Sequence, residues 1–127
     1  MDQVKLFDAE LKLMEIVWAH APVMAKDVSK IASEEIGWNK NTTYTVLKKL
    51  VEKKAVRRSE PNFLCTPLVT RAEVGEAEAR RLVDRLYGGS AKLFLSSFLQ
   101  KEKLSEKELA ELKDIIDKGF RDGSGGR

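Results

Sequence analysis

Apolar residues recur three and four positions apart through most of this chain, and that rhythm breaks once. Leu11, Met14, Val17 and Trp18 share one face of a first helix, which Asp8 is placed to cap. It is expected to stop near Ala19-His20, because Ala21 precedes a proline and is steered out of the helical region. Val28, Ile31, Ala32 and Ile36 mark a second helix from about Ala25 to Ile36, with Gly37 suited to end it and Trp38 to pack back on the bundle. Asn39 predicts the cap of a third helix running to about Lys53, with Thr43, Val46, Leu47, Leu50 and Val51 turned inward. There the period shortens. Val56-Arg57-Arg58-Ser59 and Phe63 to Leu68 read as two short strands joined across Glu60-Pro61-Asn62. Three helices followed by a β-hairpin is the winged helix-turn-helix order, with the third helix as recognition element and the hairpin as wing.

The helical rhythm then returns. Thr70-Arg71-Ala72-Glu73 predicts a capping box opening a fourth helix that carries Val74, Ala77, Leu82, Val83, Leu86 and Tyr87. Gly88-Gly89-Ser90 interrupts it. A fifth segment, Ala91 to Gln100, is apolar on most of its surface, and Ser105 to Glu108 is a second capping box ahead of Leu109, Leu112, Ile115 and Ile116. The expected fold class is mainly α with a small β-hairpin. Residues 1–69 form a winged helix-turn-helix DNA-binding domain, 70–118 a helical dimerisation region and 119–127 a flexible tail. Three helices of about fifty residues cannot bury their own apolar faces. Leu82, Leu86, Phe94, Leu95, Phe98, Leu99, Leu112 and Ile116 are therefore expected to meet a second copy in a two-fold homodimer.

Charge sharpens the picture by its placement. From Gly37 to Glu60 seven basic residues stand against two acids, a local +5 where the whole chain carries +3. Residues 1–36 total −3 and the remainder is near neutral. Basicity concentrated on one helix and the following hairpin predicts double-stranded DNA as partner. Burial of the Thr43/Val46/Leu47/Leu50 stripe turns Asn41, Thr42, Tyr44, Thr45, Lys48 and Lys49 outward or to the flanks. Residues early in a recognition helix reach base edges, so Asn41 is suited to adenine and the threonine methyls to thymine. Tyr44 can give its hydroxyl to a phosphate, and Lys48 and Lys49 suit phosphates that position without specifying. Arg57 and Arg58 lie on the wing, where strand alternation puts them on opposite faces and only one is expected to touch DNA. Lys26, near the start of the second helix, is a backbone-phosphate candidate and equally readable as a free surface lysine.

Little else resembles chemistry. One cysteine and one histidine make neither an internal disulfide nor a closed zinc site. No Gly-rich phosphate loop or paired-carboxylate pattern stands out, so neither catalytic residue nor cofactor nor metal is expected. Trp18 and Trp38 read as core, Cys65 as a small apolar residue and His20 as a surface residue at a helix end. No apolar run approaches the roughly 18–20 residues of a membrane span. With no basic n-region at the N-terminus, a cytoplasmic protein without membrane contact is expected.

Four strings, in order, resemble the penicillinase-repressor family, the BlaI/MecI/CopY group of bacterial transcription repressors. They are Glu10 to Trp18, Trp38 to Thr45, Leu86 to Ser90, and Leu95 to Ser105. The resemblance spans about Phe7 to Lys118. It implies a dimer of winged helices on a palindromic operator, with the C-terminal helices as seam. It also implies relief by a sensor-linked protease, in response to a β-lactam or cell-wall signal, cutting between Ser97 and Phe98; family members carry asparagine where this chain has Ser97. Copper-responsive members carry paired cysteines near the C-terminus, which are absent from this sequence. Two other readings stay open: a winged-helix regulator whose small-molecule effector enters the cleft between the halves, and a protein-interaction module whose basic face meets an acidic protein.

Overall fold

The computed structural model describes residues 4–121 of the 127. In chain order the elements are α1 (Asp8–His20), β1 (Val23–Met24), α2 (Ala25–Ile36), α3 (Lys40–Glu52), β2 (Val56–Ser59), β3 (Leu64–Pro67), α4 (Arg71–Leu86), α5 (Ala91–Lys101) and α6 (Glu106–Arg121). The first three helices pack around one core. Leu13, Met14 and Val17 of α1 meet Val28 and Ala32 of α2 and Leu47 and Leu50 of α3, all fully buried. Each such aliphatic side chain contributes about 1.5–3 kcal/mol on leaving water. Thr43 belongs to the same stripe, and its buried hydroxyl has no hydrogen-bond partner among the described residues. Its methyl packs while its oxygen is stranded. Val51, expected inward, is half-buried at the margin of the core.

Helix ends follow local chemistry. The Asn39 side chain accepts the Thr42 N–H at 2.8 Å, opening α3 as expected. Gly37 closes α2 with φ +72°, a left-handed conformation that glycine adopts at no steric cost. The first helix departs from expectation: Asp8 lies inside it, and the cap position is Phe7. No side chain of Phe7 can cap, so the Glu10 carboxylate accepts the Phe7 N–H at 2.8 Å instead. Glu10 is buried, and Lys53 at the end of α3 reaches it at 2.6 Å while also donating to the Lys5 carbonyl at 2.8 Å. The α1 start is thereby pinned to the α3 end.

The sheet has three antiparallel strands in the order β1-β3-β2. Val56 faces Pro67 and Ser59 faces Leu64 across the expected hairpin, while Val23 pairs Cys65 and Met24 pairs Leu64 on the other side. The strand β1 is not among the sequence expectations. Two residues carry no period, and what makes them a strand is a partner forty positions on. Thr70 caps α4 reciprocally with Glu73, and Val74 and Ala77 bury its first turns.

Beyond Ala77 the helices leave the core. Val83 is buried, and Tyr87 meets Phe94 edge-on at 5.2 Å, but α5 contains no buried residue. Leu86, Phe98 and Ile116 stand 63%, 49% and 48% exposed, in company with Leu93, Leu95, Leu99, Leu109 and Ile115. The expected tail begins too early: Gly119 to Arg121 continue α6, since nothing in Ile115 to Gly119 breaks the helical ladder, and only residues 122–127 of it lie outside those described. Among the described residues no helix is long and apolar enough to cross a membrane.

Candidate nucleic-acid interface

The outer face of α3 is polar from Asn41 to Lys49. With Thr43, Val46, Leu47 and Leu50 buried, Asn41, Thr42, Thr45, Lys48 and Lys49 are all exposed. Asn41, Thr45 and Lys48 fall at helical spacing along one line, flanked by Thr42 and Lys49. Along that line hydrogen-bonding groups and methyls come first and ammonium groups after, while Lys40, the first residue of the helix, lines the cleft toward α2. That is the order in which a helix entering the major groove meets bases and then backbone.

Tyr44 holds a different place from its neighbours. It is half-buried, with its ring edge-on to Phe63 at 6.0 Å and Lys40 Nζ 5.8 Å from its own centroid. Phe63 is the last residue before β3, and its carbonyl accepts the Ala25 N–H at 2.9 Å at the start of α2. Tyr44 and Phe63 thus tie α3 to the hairpin and the hairpin to α2. An open cleft between α2 and α3 is lined by Lys26, Ser29, Lys30, Ser33, Glu34, Lys40 and Tyr44, three cations against one acid. Lys26 is exposed there and is joined by Lys40, one of the seven cations of the basic segment, and by Lys30, which lies outside that segment. The signal for Lys30 was present as its four-residue spacing from Lys26 on one helix face.

The hairpin keeps both arginines exposed. Arg58 shares the face of Val56 and of its cross-strand partner Cys65, as alternation requires. It escapes burial because its guanidinium runs out over the Phe63 ring, 4.0 Å from the centroid, and pairs with Glu60. Arg57, opposite Thr66 on the other face, makes no ion pair among the described residues. Of the seven basic residues in the segment, Lys53 is turned to internal use by Glu10. Cys65 is buried, and that burial pushes its thiol up to about 11 against the opposing pull of Arg58. At neutral pH it is a protonated, weakly donating group against the Phe63 carbonyl.

Ser97 and Phe98 lie in the middle of α5. Ser97 is half-buried and Phe98 half-exposed, its ring stacked on Phe94 at 5.7 Å. Leu82 and Leu112 are half-buried, whereas Leu86, Leu95, Phe98, Leu99 and Ile116 present their apolar surface outward. The eight residues expected at the seam therefore share the α4–α6 region, six of them on α5 and α6.

Three packed helices, the third with one exposed polar face, and a hairpin against its base define a winged helix-turn-helix protein. The DNA-binding domain of the repressor BlaI, solved in solution, superposes with a TM-score of 0.52 at 28% identity, covering 57% of this chain and 93% of that one. The chain belongs to the penicillinase repressor family, whose model matches residues 6–118. It is 28% identical over 115 residues to the penicillinase repressor of Bacillus licheniformis, spanning 89% of this chain and 90% of that protein. The penicillinase repressor of Staphylococcus aureus is 27% identical over 116 residues, spanning 90% and 92%. The methicillin resistance regulatory protein MecI of Mammaliicoccus sciuri is 24% identical over 116 residues, spanning 90% and 94%.

Proposed function

We propose that this chain is a homodimeric, sequence-specific DNA-binding repressor that holds an inverted-repeat operator and occludes the promoter beneath it. The observation that carries the reading is the division of α3 into a fully buried apolar stripe and an exposed face of Asn41, Thr42, Thr45, Lys48 and Lys49. Family membership supports it, and so do relatives of nearly equal length named as repressors. Asn41, Thr42 and Thr45 read base edges. Lys48 and Lys49 grip phosphates, with Lys26 and Arg57 flanking; Tyr44 braces the helix and offers its hydroxyl, and Arg58 serves mainly to shape the wing. Leu82, Leu86, Phe94, Leu95, Phe98, Leu99, Leu112 and Ile116 form the seam with a second copy. No catalytic step and no cofactor enter this function.

Relief follows from the same architecture. A sensor-linked protease that cut Ser97–Phe98 would sever α5 and divide the seam, and a monomer forfeits the gain of holding two half-sites at once. Helical substrate must be unwound to enter a protease, and α5 has no buried residue in its own protomer to resist this. The test is a gel-shift titration against duplexes tiled across the DNA upstream of the coding sequence. Lys48→Ala with Lys49→Ala should weaken binding to every duplex alike. Asn41→Ala should cost about 1–3 kcal/mol of discrimination at one position of each half-site. Unchanged affinity and preference in both variants would remove α3 as the reading element.

A further inference from the structure

Between the wing and α4 the chain has three residues, Leu68, Val69 and Thr70, and each is tied down. The Leu68 N–H donates to the Ala55 carbonyl at 2.8 Å. The Val69 carbonyl accepts the Trp18 indole N–H at 2.9 Å. Thr70 and Glu73 exchange the two hydrogen bonds of a capping box at 2.8 and 3.0 Å. Arg71, the first residue of α4, lays its guanidinium 4.8 Å from the centre of the Trp18 ring and pairs with Glu15, one turn earlier on α1. Trp18 thus holds the connector by its ring edge and the helix start by its ring face. An exposed ion pair alone restrains little; acting with the indole bond, the stacked guanidinium and buried Val74 and Ala77, it removes the slack a linker would have.

We propose that Trp18, Arg71 and Glu15 form a clamp that fixes the direction in which α4 leaves the winged helix, and thereby the spacing between operator half-sites that the dimer accepts. The proposal rests on the dimeric repressor reading above. The lever is long: α4 has 16 residues, about 24 Å at the helical rise. Turning it by about 10° at its base displaces its far end by about 4 Å, against a rise of roughly 3.4 Å per base pair. Its far end leads into Tyr87, whose ring meets Phe94 of α5 and so reaches the seam. A small rotation at Trp18 is therefore worth a whole base-pair step between the two reading helices, and two-fold symmetry applies it twice. None of the three residues belongs to the DNA-facing set on α2, α3 and the wing, so they act as positioning residues.

The experiment uses the full chain and duplexes carrying two half-sites at the native separation and at separations one and two base pairs longer and shorter, with a single half-site as control. Fluorescence anisotropy titrations should show the unmodified protein preferring one separation by roughly tenfold, the scale of one mismatched base pair. Arg71→Ala and Trp18→Phe should flatten that preference to about threefold or less while leaving single half-site affinity within about twofold. Arg71→Lys, which keeps the ion pair and loses the planar stack, should fall between the unmodified protein and Arg71→Ala. A preference as sharp in Arg71→Ala as in the unmodified protein overturns the clamp. No preference in the unmodified protein overturns the clamp as well, and no gain of two half-sites over one overturns the two-headed reading on which it rests. If Trp18→Phe loses half-site binding through misfolding, Arg71→Ala, altered at an exposed side chain, decides alone.

Discussion

Lys54 stands where the chain turns out of α3, at φ +64°, in a conformation that costs an L-residue about 1–2 kcal/mol. The hydrogen bonds explain why it is held there. The Ala55 N–H reaches back to the Leu50 carbonyl at 2.9 Å and the Lys54 N–H to the Val51 carbonyl at 3.0 Å, the paired closure usually built on glycine. Lysine at this position keeps an exposed cation between the reading helix and the wing. Lys54→Gly should therefore raise stability in urea by about 0.5–1 kcal/mol, the relieved strain less the added freedom of the unfolded glycine chain. The same change should weaken DNA binding and its salt dependence. A loss of stability would show that the Lys54 side chain contributes more than its backbone costs. Residue by residue, the sequence was legible wherever a partner lies three or four positions away. The Asn39 cap, the Thr70–Glu73 box and the Gly37 stop are all of that kind. Lys53 was not, because its partner Glu10 is 43 residues distant, and a lysine bound for a buried carboxylate reads like any other in a basic run.

Among elements, α3 and α5 have opposite relations to their surroundings. The first buries one face completely and shows a polar one; the second buries nothing within the protomer and shows phenylalanine and leucine. Exposed apolar surface of this kind on consecutive helices marks an interaction site. Phe98 is the sharpest place to test it, since it is half-exposed and its ring stacks on Phe94. In a two-fold interface each substitution appears twice, so Phe98→Glu at about 2 kcal/mol per side should weaken dimerisation roughly a thousandfold. Sedimentation velocity should show monomers, with the helical circular dichroism unchanged. A surviving dimer would place the seam elsewhere. Helices and hairpin were readable from periodicity, but β1 was not: Val23–Met24 is a strand only because β3 offers an open edge. The capping boxes fixed where α4 and α6 begin. The tail expected from Gly119 begins later, because α6 runs on to Arg121.

For the molecule as a whole, the uneven charge was visible in the sequence, whereas the joint that orients its two ends was not. Trp18 lies 51 residues from Val69 and Glu15 lies 56 from Arg71, distances at which no local pattern carries information. The fold also sorts the cations. Lys48, Lys49 and Arg57 remain available, Lys26, Lys30 and Lys40 gather on the α2–α3 cleft, and Lys53 is neutralised internally. Each phosphate neutralised contributes about 0.9 to the slope of log affinity against log salt, so a dimer with six or more contacts should show a slope steeper than about −5. Because every residue occurs twice on the full operator, Lys49→Ala should flatten that slope by about 1.8, and by only about 0.9 on a single half-site. Lys53→Gln should leave the slope unchanged on both duplexes while lowering stability, since Glu10 loses its cation inside the protein. Isothermal titrations across a salt series on the two duplexes separate these outcomes. Equal losses for Lys49→Ala and Lys53→Gln would mean that the basic segment acts as an undivided cloud of charge, and an equal loss from Lys49→Ala on both duplexes would mean that only one reading helix is engaged.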